Sequence, residues 1–338
     1  MISAPALPRR CTFASHDWSV LARCWHPVAI ASEITPDRPH AAQLLDQDLV
    51  LYRSDAGVTV AADLCVHRGA PLSMGTMCDG HVTCAYHGYR YDGAGRCRLI
   101  PAHPGGPIPS KLALRVFKSV ERYGLIWVQL DASEERPLPE FPEFGAPGFQ
   151  VFHVPPLDWA ASAGRQVESF CDVAHFAFVH PVTFAAKDPV VPRYDVAPTP
   201  TGVHAEFVSQ VGNISDPSAA SQVWRRVYDL YLPFTAHLTV HFPHGGRFAI
   251  LNASCAVSAR KTRVFAVIAR EFDHDQPIAE AIAFQQRVYG EDQRIVERQN
   301  PEDLPIDLDE EVHVRADRTS VEYRRQLAKL GLGREFTA

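Results

Sequence analysis

The chain has 338 residues, more than one hydrophobic core usually organises, and its 46% hydrophobic and 21% charged residues exclude a disordered or fibrous protein. A net charge of −6, with 33 Lys and Arg against 39 Asp and Glu, leaves no basic footprint for a phosphate backbone, which argues against a nucleic-acid partner. No apolar run approaches the ~18 residues of a membrane span, and residues 1–27 hold no signal-peptide core, so the expectation is a cytoplasmic protein with no membrane partner.

From Gln43 to Leu130 short apolar runs (LVLYR, VTVAADL, HVTCAYH, YRYDGAGRCRLI, YGLIWVQL) alternate with Gly and Asp-Gly turns, which predicts an antiparallel β domain. The proline- and acid-rich stretch 131–150 reads as a linker, dividing the chain into domains 1–150 and 151–338. In the second domain the pattern predicts a helix over 164–180 and strands around 203–211, 225–240, 247–257 and 263–271. Ile282, Val288, Ile295 and Val296 recur near helical spacing and predict a helix over 278–299; a last helix, 315–331, ends on glycine. The fold class is therefore α+β with an all-β first domain. No G-x-G-x-x-G follows a strand, so no dinucleotide domain is expected.

Eight cysteines are too few for a disulfide framework in a chain this long, and Cys11, Cys24, Cys78, Cys97, Cys171 and Cys255 are expected to be reduced and structural. The other two stand beside histidines, in Cys65-Val66-His67-Arg68-Gly69 and Cys84-Ala85-Tyr86-His87-Gly88, with sixteen residues between His67 and Cys84. Residues two apart on an extended segment face the same side, so Cys65 and His67 can approach one site; Cys84 and His87 need a turn. Each pair is followed by a glycine, where the backbone can bend tightly and turn N–H groups toward sulfur. Two thiolates and two imidazoles suit a [2Fe–2S] cluster of raised potential, with a structural zinc site as the rival.

A second constellation is Asp172-x2-His175-x4-His180-Pro181. Histidines five apart lie ~140° apart on a regular helix and would not share a ligand. Pro181 disfavours the α conformation at His180, so the helix can end there and swing this histidine back toward His175, with Asp172 one turn away. On its own the pair could equally be two buried imidazoles. His241 and His244 have no partnered acid and read as pocket lining or surface.

The segments CVHRGAPLSMG and CAYHGYRYDGAGRC resemble the two cluster-binding loops of Rieske non-heme iron oxygenases, and WHPVA at 25–29 resembles the opening strand of that family. The closing EVHVRADRTSVEYRRQLAKLGLG is similar to the tail of the branch that includes vanillate demethylase and dicamba monooxygenase. The resemblance covers nearly the whole chain. It implies an all-β Rieske domain followed by a helix-grip-like catalytic domain, an antiparallel sheet flanked by helices. It also implies a [2Fe–2S] cluster on Cys65, His67, Cys84 and His87, and a mononuclear Fe(II) on His175, His180 and a carboxylate of a late helix. The segment EDQRIVE at 291–297 matches that helix. Within it Asp292 shares the inward stripe with Val288 and Val296, an odd place for an unpaired charge, and neighbouring Glu291 is the rival.

In this family the aspartate at position 172 bridges an iron histidine to a cluster histidine of the neighbouring subunit, which implies a homotrimer. Electrons would come from NAD(P)H through a separate ferredoxin or reductase. The implied activity is that of a terminal oxygenase using O2 to hydroxylate or oxidatively demethylate a small aromatic substrate. Arene cis-dihydroxylation is the alternative reaction. A Rieske-type electron-transfer protein is the alternative of another class, and it would need the first constellation only. The family commonly has Pro at Ala85, Trp at Tyr89 and Asn at Ser169.

Overall fold

A computed structural model describes residues 7–184, 189–209, 223–243 and 245–333, and His244 lies outside them. The chain packs as two compact units, one built on Leu21–Arg136 and the other on Thr12–Val20 together with the chain from Pro137 onward. The division falls at Arg136/Pro137 rather than near residue 150. The reason is local: Phe141 and Glu143, both buried, pack on His237 of the second unit, with ring centroids 5.3 Å apart and an Oε2 to Nε2 distance of 3.1 Å. The first helix, α1 (Ser15–Leu21), also lies mostly in the second unit. Asp17 accepts from the Gly333 N–H at 2.7 Å, and Thr12 accepts from the Ala259 N–H at 2.9 Å.

The first unit is all-β, as the turn-punctuated runs predict. Its strands are β1 (His26–Ile30), β2 (His40–Leu44), β3 (Gln47–Ser54), β4 (Gly57–Ala62), β5 (Thr76–Cys78), β6 (His81–Thr83), β7 (Arg90–Tyr91), β8 (Cys97–Leu99), β9 (Lys118–Arg122) and β10 (Leu125–Gln129). They form three antiparallel sheets, ordered β1-β10-β9, β2-β3-β4 and β5-β6-β7-β8. Val50, Tyr52, Val82 and Tyr91 are fully buried in one apolar core that also takes in Cys65 and Cys84.

The second unit carries a seven-stranded antiparallel sheet. Its elements in chain order are β11 (Gln150–Trp159), α2 (Ala163–Cys171), α3 (Phe176–Val179), β12 (Asp195–Pro198), β13 (Gly202–Ser209), β14 (Trp224–Tyr231), β15 (Thr235–His241), β16 (Arg247–Ser258), β17 (Lys261–Arg270), α4 (Ile278–Val296) and α5 (Arg318–Leu330). The strand order is β11-β17-β16-β15-β14-β13-β12. Edge strand β11 escapes the alternation pattern because Pro155 and Pro156 interrupt it; they sit where the register with β17 slips, between Val154 and Leu157, so their missing N–H groups cost no ladder bond. The expected single strand 225–240 is a hairpin, β14 and β15, parted at Pro233, which has no N–H to give the ladder.

Helices α2 and α4 lie on the sheet face that carries Asn252. The Asn252 amide exchanges hydrogen bonds of 3.1 Å with Gln166 of α2, and Tyr289 of α4 donates to its Oδ1 at 3.1 Å. Buried Arg324 of α5 holds Glu168 of α2 with two bonds of 2.7 and 2.9 Å, and buried Arg165 reaches Glu311 at 2.6 Å. Removing one member of such a buried network typically costs about 3–5 kcal/mol, so these pairs fix α5 against α2. Helix α5 ends as its glycine predicts: Gly331 has φ +110°, and Leu332 N–H bonds back to Leu327 at 3.2 Å. None of the eight cysteines, all of them described, is in a disulfide. Among the described residues no helix is long and apolar enough to cross a membrane.

Two helical expectations change. The helix expected over 164–180 breaks at Asp172, where ψ is 136°, and resumes only as the four-residue α3. On α4 the buried stripe is Gln285, Tyr289, Asp292 and Val296, whereas Ile295 is 56% exposed and Val288 is half-buried. Hydrophobic residues misplace this stripe because half of its inward positions are polar.

Candidate metal centres

Both Cys/His pairs sit on knuckles of one design. Cys65 N–H donates to Ala70 and Gly69 N–H returns to Cys65 (both 2.8 Å); Cys84 N–H donates to Tyr89 and Gly88 N–H returns to Cys84 (both 2.9 Å). Gly69 and Gly88 adopt φ +75° and +71°, the left-handed conformation that closes each knuckle at little strain only for glycine. The two cysteines point into the core, each 2% exposed, while His67 and His87 stand at the tip with ring centroids 4.7 Å apart. Burial pushes the Cys65 thiol pKa up, and the neighbouring Cys84 adds to it. Desolvation, with the charges of His87 and Arg68, lowers that of His67, which favours a neutral imidazole. The His67 Nδ1 is buried and meets no hydrogen-bond partner, as suits an atom that ligates metal.

These four residues do not surround one point. Among the described residues only His175, His180 and Asp292 bring three ligand atoms within 4.8 Å of one another. Ligands of a single zinc, at 2.0–2.3 Å, must lie within about 4.6 Å of each other, so the quartet is too spread for zinc. Two irons, one taking the sulfurs and the other the imidazoles, fit that spread.

The second centre is built by the broken helix. After α2 stops at Asp172 the chain turns through α3, and His180 takes φ −116°, ψ 41°, outside the α region that Pro181 disfavours. His175 Nε2 and His180 Nε2 thereby meet at 3.1 Å, and Asp292 Oδ1 lies 3.0 Å from the latter and 3.4 Å from the former. The other ring nitrogens are also occupied. His175 Nδ1 is 3.2 Å from Asp172 Oδ2, and His180 Nδ1 is 2.7 Å from Glu291 Oε2. With each Nδ1–H donated to its carboxylate, both Nε2 atoms present lone pairs toward the Asp292 oxygen. Three electron-pair donors so close repel one another unless a cation lies between them. Two imidazoles and one carboxylate, with coordination positions left over, are the donor set of non-heme iron oxygenases.

The surrounding charges agree. Burial disfavours the His180 imidazolium, but the bonds and charges of Asp292 and Glu291 outweigh it and raise the pKa. A proton therefore competes with metal here, and metal affinity falls as pH drops through that raised pKa. Burial also opposes the Asp172 carboxylate, yet bonds from His175 and the Ala174 N–H hold its pKa below the usual range. A cavity of about 250 Å³ opens beside the triad, lined by Ser169, Asp172, His175, Asp292, Gln299 and His313 among others.

Residues 24–119 match the Rieske [2Fe-2S] domain family, and residues 159–332 match the vanillate O-demethylase oxygenase C-terminal domain family. The chain belongs to the Rieske non-heme iron oxygenases. Among its relatives, the methylxanthine N1-demethylase NdmA of Pseudomonas putida is 34% identical, over 92% of this chain and 89% of its own. The N3-demethylase NdmB of the same organism is 32% identical over 94% and 91%. The solved structure of NdmA with caffeine superposes with a TM-score of 0.83 at 32% identity, covering 93% of this chain and 92% of that one. Dicamba monooxygenase bound to dicamba shares the fold, with a TM-score of 0.79 at 22% identity over 92% and 97%. As a member of this family the chain is an oxygenase with a [2Fe–2S] cluster and a mononuclear Fe(II).

Of the residues expected at metal, the fold brings His175, His180 and Asp292 together, with Asp172 on the second nitrogen of His175, and Glu291 takes a part of its own. Neighbours on a helix point ~100° apart, so Asp292 and Glu291 can reach the two nitrogens of the one His180 ring. Glu291 also accepts from Thr183 Oγ1 at 2.7 and 2.8 Å. The adjacent acids were the only signal of this in the sequence; Thr183 carried none. The departure at Tyr89 keeps an aromatic platform, since its ring stacks on His67 at 4.5 Å and 7°. Ser169 lines the cavity beside Asp172. His241 lies 3.1 Å from Arg225 Nη1 on the sheet and is not part of the three-residue set.

Proposed function

We propose that this chain is the terminal oxygenase of a multicomponent system that removes a methyl group from nitrogen or oxygen of a small aromatic substrate. The observation that carries the reading is the convergence of His175, His180 and Asp292, each imidazole backed by its own carboxylate, in a chain that also holds the paired Cys/His knuckles. The full-length relatives are named as N-demethylases, and the oxygenase component of dicamba O-demethylase is 43% identical over 105 residues, 31% of this chain. The balanced reaction turns the methyl group, O2, two electrons and two protons into the demethylated product, formaldehyde and water.

In this reading Cys65, His67, Cys84 and His87 hold the cluster, and His175, His180 and Asp292 hold the iron. When bound, these groups supply reductive O2 activation with electrons from a separate reductase. Asp172 and Glu291 keep the ring protons on Nδ1 and so hold both Nε2 atoms toward the metal. In the same reading Asp172 joins His175 to a cluster histidine of a neighbouring copy, the arrangement of a homotrimer. Cysteines outside disulfides suit a reducing compartment, the cytoplasm.

The test is to supply a reductase, NADH and methylated aromatics and to measure formaldehyde, with iron counted alongside. Three irons per chain and formaldehyde in step with substrate consumed are expected. Two irons and no product would favour an electron-transfer protein, and a cis-diol would favour dihydroxylation.

Tyr91 provides a finer check. Its hydroxyl, fully buried, lies 3.2 Å from Cys65 Sγ. Donating to a ligand sulfur stabilises the more negative, reduced cluster. Losing about 1 kcal/mol of hydrogen bond in Tyr91→Phe should lower the midpoint potential by roughly 40–60 mV in a redox titration of the visible spectrum. An unchanged potential would show that the hydroxyl does not donate to the cluster.

A further inference from the structure

Two protons are taken up with the two electrons whether the product is a demethylated arene or a cis-diol, so they must reach the iron centre from solvent. The centre itself has none to give. The Nδ1 protons of His175 and His180 are held by Asp172 and Glu291, and both Nε2 atoms are committed with Asp292 Oδ1 to the metal. Protons from outside need a path, and the cavity beside the triad supplies one.

Its lining is polar: among the described residues only Val179, Ile295, Val296 and Val312 are apolar walls. An aromatic ring would leave the rest of that wall unbonded, which is costly. A polar cavity of about 250 Å³ instead holds several waters, since one needs roughly 10–15 Å³ of such space. Charge argues against an anion as the occupant. Arg165 and Arg324 already hold Glu168 and Glu311, and Asp172, Asp292 and Asp317 leave the lining with an excess of carboxylates. Walls of that sign concentrate protons rather than repel them.

Within this lining His313 is the one imidazole besides His175, and imidazole is the side chain that gains and loses a proton near neutral pH. His313 is half-buried, on the stretch between Glu311 and Val314, both extended, so it is reached from solvent as well as from the cavity. Its Nε2 meets no hydrogen-bond partner among the described residues, so no neighbour fixes where its proton sits. Histidines with a packing role in this chain are tied down: His26 Nε2 bonds the Leu21 carbonyl at 3.0 Å, and His237 Nε2 meets Glu143 at 3.1 Å.

We propose that this cavity is the hydrated proton inlet of the iron centre and that His313 is its relay, taking a proton from solvent and passing one through cavity water to the oxygen that is being reduced. The ring returns to its starting form each time, and the two solvent protons balance the two electrons from the cluster. A cis-diol in place of formaldehyde would count against demethylation and leave the inlet standing, because both reactions take up the same protons.

The test starts without turnover. A high-resolution crystal structure of the holoenzyme should show ordered water from the His313 ring to the triad side of the cavity. A cavity filled by protein side chains, of this chain or of a neighbouring copy, overturns the proposal. Kinetics then use His313→Gln, which stays polar but carries no proton near neutral pH, and His313→Ala. The aromatic that native protein oxidises in the assay above serves as substrate. Iron content, cluster reduction and affinity for that aromatic by calorimetry should match the native protein. Product in a single turnover of pre-reduced protein should form about 10- to 100-fold more slowly, with a larger solvent deuterium isotope effect. 2-Methylimidazole, whose methyl group hinders binding to metal, should restore much of the rate in His313→Ala. Rates within twofold of native in both variants, a loss that 2-methylimidazole leaves unrepaired, or a loss that tracks weaker substrate binding would reduce His313 to a packing residue and overturn the relay.

Discussion

Replacing Asp292 with alanine is expected to strip the mononuclear iron and abolish turnover while the Rieske spectrum and acid-labile sulfide persist. The two Cys/His knuckles lie in the first compact unit and close through their own backbone bonds, whereas α4 belongs to the second. Among the described residues Asp292 Oδ1 is the only carboxylate oxygen that closes the three-atom set with His175 and His180. Without it two facing imidazole nitrogens remain, a poor site for a divalent cation. Glu291→Ala should act differently. It removes the acceptor that fixes His180 Nδ1 at 2.7 Å, and loss of such an outer partner typically lowers metal affinity about 10- to 100-fold without removing a ligand. Iron analysis after dialysis against a graded chelator separates the two variants. If Asp292→Ala kept iron and activity while Glu291→Ala lost both, the ligand would be the neighbouring residue.

What could be read before folding follows from how local each feature is. The cluster knuckles were legible because ligands, turn and glycine lie within five residues, and Gly69 and Gly88 take the positive φ that their positions suggest. His180 was legible through Pro181, a neighbour that disfavours the helical conformation there. Asp172 was legible as a residue near His175 but not as the end of α2: no proline or glycine marks the break, and its extended ψ shows only in three dimensions. The stripe of α4 was misread in part because Val288 and Ile295 drew attention from Gln285 and Tyr289; the phenol of Tyr289 is buried against Asn252, a partner contributed by the sheet. The bond from Thr183 to Glu291 arises only when the segment that follows α3 meets α4, 108 residues away in sequence.

Asp172→Asn should keep the cluster and most of the iron, accept electrons from the reductase, and then fail to pass them on. In the structure one oxygen, Oδ2, receives His175 Nδ1 at 3.2 Å, and Oδ1 receives the Ala174 N–H at 2.8 Å. A carboxylate has about four acceptor positions, and with its side chain 30% exposed Asp172 retains capacity toward an arriving imidazole N–H. Asparagine can still accept from one histidine, which preserves the orientation of His175, but its NH2 cannot accept from a second. A purely orienting aspartate would therefore leave the variant's electron transfer near normal, and a bridging one would leave two intact centres out of communication. Pre-reduced protein mixed with substrate and O2 in a stopped-flow instrument distinguishes these outcomes by the return of oxidised-cluster absorbance. The native protein should reoxidise its cluster within a single turnover, whereas Asp172→Asn should show no reoxidation over that interval despite its iron. Reoxidation at near-native speed would reduce Asp172 to a positioning residue for His175 and remove the reason to expect a neighbouring copy at that carboxylate.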